Sequence, residues 1–275
     1  MIKCGITGGT GSIGSVFIKK KSDFKFIKFY GDITNKKSVD SWIKKNNFDL
    51  IIHLAAIVPI KIVNENKRKA YNVNYIGTKN IIDSVLKFNN SLKWFFFAST
   101  SHVYKNKLGK ISENDITKPL NIYGQTKLKA ENYIKKKLDK AEIKYCIGRI
   151  FSTTSVNQKK NYFIPDIKRK ICTSNKILLK FENLNHYRDF ISPHDIAKIL
   201  LLLWKKKYNG IINIASGKPI LLKKIVLLIL KKKNKKNFLF YDNKKATSLV
   251  ADISRLKKIT GWRSGYSMLD MLFKV

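Results

Sequence analysis

Ile2–Gly14 reads IKCGITGGTGSIG, and the order strand, glycine turn, helix within it decides the fold. Ile2–Thr7 is an apolar run of buried-strand length, and Ser12–Lys20 carries helical spacing of its apolar residues. Between them Gly8, Gly11 and Gly14 stand at GxxGxxG spacing. Glycines there permit a tight turn and let backbone approach a pyrophosphate. The helix that follows offers unpaired N–H donors and the positive end of its dipole. A glycine-rich turn alone is common; one set between a strand and a helix is the context in which it binds a nucleotide.

The alternation continues outward from this stretch. Phe24–Tyr30, Leu50–Leu54, Leu92–Ala98 and Ile143–Ile150 read as strands, and Lys36–Asn46, Glu65–Phe88 and Asn121–Leu138 as helices. Strands alternating with helices predict an α/β fold, a Rossmann-type doubly wound parallel sheet. After Phe151 the rhythm loosens. We expect a dinucleotide-binding domain over residues 1–150 and a smaller C-terminal substrate-binding lobe over 151–275, with segments such as Gly210–Ala215 returning to the main sheet. Pro165, Pro193 and Pro219 stand at or just before helical starts, where proline is tolerated.

The 275 residues are 44% hydrophobic, enough for a core, so charge-driven disorder is excluded as the default. The longest aliphatic run, Ile225–Leu230, is far short of a membrane span, and no signal peptide is expected. Cys4, Cys146 and Cys172 are widely spaced and form no CxxC pair. They predict a reducing, cytoplasmic setting without structural disulfides or zinc, and His53, His186 and His194 lack metal-ligand spacing.

Lys and Arg number 56 against 18 Asp and Glu, a net charge of +38. Two readings compete. One is a nucleic-acid binder held by phosphate contacts. The other is a solvated surface written by AT-rich codons. The lysines are spread in short groups such as Lys135–Lys137, Lys205–Lys207 and Lys231–Lys233, at the ends of helical stretches, and arginine is rare. The second reading is preferred, so no specific nucleic acid and no membrane partner is expected.

Tyr123 and Lys127 are four apart on a predicted helix and share a face. Reducing a ketone requires a proton donor. A phenol titrates at about 10, too high for easy exchange near neutrality, and a nearby ammonium lowers it. Thr100, at the end of the Phe-rich strand, is placed to hold the substrate oxygen.

The chain resembles the extended short-chain dehydrogenases/reductases, the NAD-dependent epimerase/dehydratase family. The resemblance runs in order through TGGTGSIG (7–14), GDIT (31–34), HLAA (53–56), NVNYIGT (72–78), FASTSHVY (97–104), PLNIYGQTKLKAE (119–131), YRDFISPHDIA (187–197) and GIINIASG (210–217). It is most similar to dTDP-4-dehydrorhamnose reductases. The resemblance implies an NAD(P)-dependent oxidoreductase that reduces a nucleotide-linked keto-sugar, in a setting such as polysaccharide biosynthesis. A nucleotide-sugar epimerase with tightly bound NAD and a non-catalytic dinucleotide-binding regulator stand as alternatives, and a homodimer stays open.

By the same resemblance Gly8, Thr10, Gly11, Ser12, Ile13 and Gly14 hold the cofactor phosphates. Asp32 and Ile33 contact the adenine, and Leu54, Ala55 and Ala56 line the cleft. Asp32 could instead cap the helix near Lys36. Thr100, Tyr123 and Lys127 are the catalytic set. Ser101 and His102 fill the two positions where family dehydratases carry Asp and Glu, so dehydration is not expected. His102 is either a second acid/base or a binding contact. Arg188 matches a position that holds the substrate diphosphate; otherwise it pairs with Asp189. The second strand ends at Phe29–Tyr30 without the acid that selects NAD, so NADP stands on equal terms with NAD.

Overall fold

A computed structural model describes residues 1–20, 23–158, 160–174 and 177–274. In chain order its elements are β1 (Ile2–Thr7), α1 (Ser12–Ile18), β2 (Phe24–Lys28), α2 (Lys36–Asn46), β3 (Leu50–His53), α3 (Ile60–Glu65), α4 (Lys67–Tyr71), a π-turn (Asn72–Gly77) and α5 (Thr78–Phe88). There follow β4 (Trp94–Thr100), a 3-10 turn (Ser101–Val103), β5 (Lys110–Ile111), α6 (Ile122–Lys140), β6 (Tyr145–Ile150), β7 (Ser152–Thr153), α7 (Phe163–Thr173), β8 (Leu179–Glu182) and β9 (His186–Ile191). The chain ends with α8 (Pro193–Lys205), β10 (Gly210–Ile214), β11 (Pro219–Leu221), α9 (Leu222–Lys232), β12 (Phe238–Tyr241), β13 (Thr247–Ala251), α10 (Ser254–Thr260) and α11 (Met268–Phe273).

The main sheet has six strands in the order β10-β6-β4-β3-β1-β2, every pair parallel. The strand order reverses between β1 and β3. A doubly wound sheet opens its ligand crevice there, at the carboxyl ends of the strands. Both faces are covered, and the side-chain alternation of the strands explains how. Leu50, Ile52, Trp94 and Phe96 enter one buried cluster with Phe17, Ile199 and Leu203 of the flanking helices. Ile51, Phe95 and Phe97 enter the other, with Val39, Ile81 and Ile134.

A second sheet, β11-β9-β13-β5 with β7 beside β9, carries the lobe-side residues, and β12 pairs with β8. Gly210–Ile214 is a strand of the main sheet, paired with β6. A third cluster lies between α7, α9 and α11. Among the described residues no helix is long and apolar enough to cross a membrane.

Glu65–Phe88 does not form one helix. Asn66 breaks it, accepting a hydrogen bond from Lys69 N at 2.9 Å as a helix cap. The π-turn then widens the backbone around Asn74. The buried Asn74 amide accepts from Ile57 N at 2.8 Å and donates to Ile57 O at 3.0 Å, which pins the segment leaving β3. β4 runs two residues further than its apolar pattern indicated, so Thr100 is its last residue.

Candidate active site

The glycine turn is built for close approach. Gly8 has φ +68, and a Cβ there would lie 2.7 Å from Ala55 N. A Cβ at Gly14 would run into the Gly8 carbonyl. Gly11 N donates to Gly8 O at 3.0 Å, and Gly11 caps α1 with no side-chain bond to the first turn. The first-turn N–H groups are therefore left to a ligand or to water. Thr10, Gly11 and Ser12 are exposed and Ile13 is half-buried. With Leu54, Ala55 and Ala56 half-buried opposite, the turn and the end of β3 form the two walls of the crevice. A cradle that excludes a Cβ and presents open N–H groups fits a dinucleotide.

Beneath the crevice His53 is buried, its Nδ1 2.6 Å from Thr7 Oγ1 and its Nε2 2.9 Å from Thr78 Oγ1. Thr78 donates its own proton to Asn74 O, so His53 Nε2–H donates and Nδ1 accepts from Thr7. Burial, with Lys127 nearby, brings this imidazole down to about 3. His53 is a neutral residue held within the core. Asp32 does not cap α2. Asn35 does, accepting from Ser38 N at 3.1 Å, while Asp32 accepts from Thr34 N at 2.8 Å in its own turn. Asp32 remains exposed. Ile33 is only 5% exposed and packs into the core, close against Gly77, so little of its side chain is left for an adenine.

Thr100, Tyr123 and Lys127 come together where β4 ends against α6. The Thr100 hydroxyl accepts from His102 N at 3.2 Å and lies close enough to the Tyr123 phenol to act on its proton. Tyr123 is 6% exposed; burial pushes its phenol up, Thr100 pulls it down, and Tyr162 adds a smaller upward push. Lys127 is 1% exposed, with Nζ 3.9 Å from the centre of the Phe97 ring. Burial brings the ammonium down to about 7, opposed by Glu131. The expectation that Lys127 lowers the phenol is not met here: Thr100 is what lowers it. Gly124 allows α6 this close, since a Cβ there would strike the His102 carbonyl.

Beyond His102 lies a cavity of about 330 Å³ lined by His102, Asn121, His186, Arg188, Lys244 and Lys245 among others, with no carboxylate. Arg188 does not pair with Asp189. The Asp189 carboxylate is buried and accepts from Ser216 N and Gly217 N at 2.8 Å and from Ala251 N at 3.2 Å. Arg188 Nη1 donates to Tyr187 O at 2.7 Å and Thr247 Oγ1 at 3.1 Å, and among the described residues no carboxylate lies within salt-bridge reach. Ser101 is 4% exposed, its carbonyl accepting from Tyr104 N at 3.2 Å. Asn121, Tyr162, Lys244 and Lys245 escaped the sequence reading, and His186 is read there only as lacking metal-ligand spacing. Only Asn121 left a signal, a capping residue immediately before a helix. Among the described residues no group of three His, Cys, Asp or Glu could hold a metal.

A family profile described as GDP-mannose 4,6 dehydratase matches residues 17–275. The GDP-6-deoxy-D-talose 4-dehydrogenase of Aggregatibacter actinomycetemcomitans is 28% identical over 98% of this chain and 96% of its own. A putative UDP-glucose 4-epimerase of Methanocaldococcus jannaschii is 26% identical over the same shares. In fold, the chain matches the NADPH complex of RMD from Pseudomonas aeruginosa with a TM-score of 0.87 at 18% identity, covering 99% of this chain and 96% of that one. The finer resemblance to dTDP-4-dehydrorhamnose reductases rests on the sequence motifs alone.

Proposed function

Because the chain belongs to the GDP-mannose 4,6-dehydratase family of extended short-chain dehydrogenases/reductases, we propose that it interconverts a hydroxyl and a keto group on a nucleotide-linked sugar. It is an NAD(P)-dependent enzyme of the nucleotide-sugar dehydrogenase/epimerase type; the finer proposal is that it reduces a keto-sugar. One observation carries the choice within the family. Ser101 and His102 stand directly after Thr100, and the cavity beyond His102 is lined by Arg188 and no carboxylate, which argues against the pair of acids that elimination of water requires.

In this reading the glycine turn, Asp32 and Leu54–Ala56 hold the dinucleotide, and Lys127 holds its nicotinamide ribose. The dinucleotide supplies or takes up the hydride. Thr100 orients the substrate oxygen, and Tyr123 gives it a proton on reduction or removes one on oxidation. Arg188, free of Asp189, meets the diphosphate of the substrate with its remaining N–H groups. The division at residue 151 into a cofactor-holding part and a substrate-holding lobe belongs to the same proposal.

The relatives also favour a second reading, a 4-epimerase that keeps its NAD and recycles it. The protein purified without added cofactor decides between them. An empty site and NAD(P)H consumed in proportion to a nucleotide 4-keto-sugar support the reductase. Retained NAD with inversion of a nucleotide hexose and no net cofactor consumption supports the epimerase.

A further inference from the structure

Asn121 caps α6, the helix of Tyr123, and also touches His102. Its Oδ1 accepts from Gly124 N at 2.8 Å, which assigns the two ends of the amide: oxygen towards the helix, NH2 away from it. That NH2 stands 3.2 Å from His102 Nδ1. An amide NH2 can only donate, so Nδ1 accepts and carries no proton, and the hydrogen of a neutral ring sits on Nε2. Among the described residues nothing hydrogen-bonds Nε2. The ring is held edge-on to Tyr123, centres 5.9 Å apart at 67°.

We propose that Asn121 holds His102 as a neutral Nε2–H donor, so that the site gains a fixed hydrogen-bond donor rather than a second acid/base. The groups around the ring offer no anion to a second proton. They are the donating Asn121 NH2 and the uncharged Tyr123 at the start of α6, and, lining the same cavity, Arg188 and His186 on β9 and Lys244 and Lys245 before β13, with no carboxylate in that lining. Burial and Arg188 act in the same direction. Asn121 is thus a positioning residue: it acts through His102, and the helix cap fixes its orientation. The inference deepens the proposed function and relies on it only for calling the cavity the sugar site, where an Nε2–H donor selects an oxygen acceptor.

The test uses the full chain with imidazole 15N labels, followed by NMR from pH 8 to 5. His102→Gln assigns the resonances among the four histidines. The expected result is a pyridine-type Nδ1 and a pyrrole-type Nε2, unchanged across that range. Asn121→Asp keeps an oxygen for Gly124 N, so the cap survives, but turns the other end into an acceptor. Nδ1 should then acquire a proton, and the ring should titrate about one pH unit higher or more. A pyrrole-type Nδ1 in the wild type, or an imidazolium signal within the range, overturns the proposal, as does an Asn121→Asp spectrum identical to wild type. If Asn121→Asp fails to fold, the wild-type spectrum alone decides. No substrate is used, so the outcome is independent of whether the enzyme is a reductase.

Discussion

Arg149 Nη2 meets Glu131 Oε2 at 2.7 Å where neither side chain reaches solvent, their exposures being 4% and 1%. Glu131 lies one helical turn beyond Lys127 on α6, and it also accepts a hydrogen bond from Ser99, the neighbour of Thr100 on β4. Arg149, on β6, lies over the Tyr104 ring at 4.6 Å. One buried carboxylate therefore ties together the three elements that carry or flank Thr100, Tyr123 and Lys127.

Removing one partner of this pair strands the other charge in the core. Glu131→Ala is expected to lose about 3–5 kcal/mol of stability, whereas Glu131→Leu with Arg149→Met should lose much less, because no unpaired charge remains. Urea unfolding of the two variants checks this. A single variant no worse than the double would mean the pair is solvated.

Tyr123→Phe removes the phenolic proton while keeping the ring against His102. Turnover should fall about a hundredfold to ten-thousandfold. Dinucleotide affinity should stay within about threefold, since the turn at Gly8–Gly14 is untouched. Fluorescence titration with NAD(P)H alongside a rate assay measures both. Wild-type turnover in the variant would remove Tyr123 from the chemistry.

β2 ends at Lys28, and a Cβ on Gly9 of the phosphate turn would lie 3.5 Å from Lys28 Cγ. A cation beside the turn, with no acid following in Phe29–Tyr30, predicts that NADPH binds no more weakly than NADH. Calorimetric titration of both cofactors tests it. A hundredfold preference for NADH, about 2.7 kcal/mol, would contradict the placement of Lys28.

Stability should fall on mild acidification. Burial holds His53 at about 3 and, with Arg188, His102 at about 4, against an ordinary 6.5. Below pH 6.5 the unfolded chain takes up protons that these folded imidazoles refuse. Each should therefore cost about 1.4 kcal/mol per pH unit until its folded value is reached. From pH 6.5 to 5, where the unfolded imidazoles go from half to almost fully protonated, the two together predict a loss of roughly 3 kcal/mol. Denaturation midpoints at several pH values measure the slope, and His102→Gln should remove about half of it. A flat profile would mean that the histidines protonate in the native state.

Elements set by local chemistry were legible in the chain. Gly8 and Gly14 answer a backbone requirement that only glycine meets, and the alternation through Trp94–Phe97 follows from the pleat of a strand covered on both faces. Tyr123 and Lys127 share a face because a helix turns once in about 3.6 residues. Partners chosen across the fold were not legible. Asp189 could have paired with its neighbour Arg188; it turns instead to N–H groups 27 to 62 residues away, since three convergent backbone donors stabilise a buried carboxylate that β9 has carried into the core. That choice leaves Arg188 to the cavity. Lys127 rests on Phe97 because α6 crosses β4 there, and the state of His102 follows from an Asn121 amide that the α6 cap has already oriented. Periodicity and backbone strain belong to neighbouring residues, whereas each of these pairings is a competition among distant groups, and only packing brings the competitors within reach.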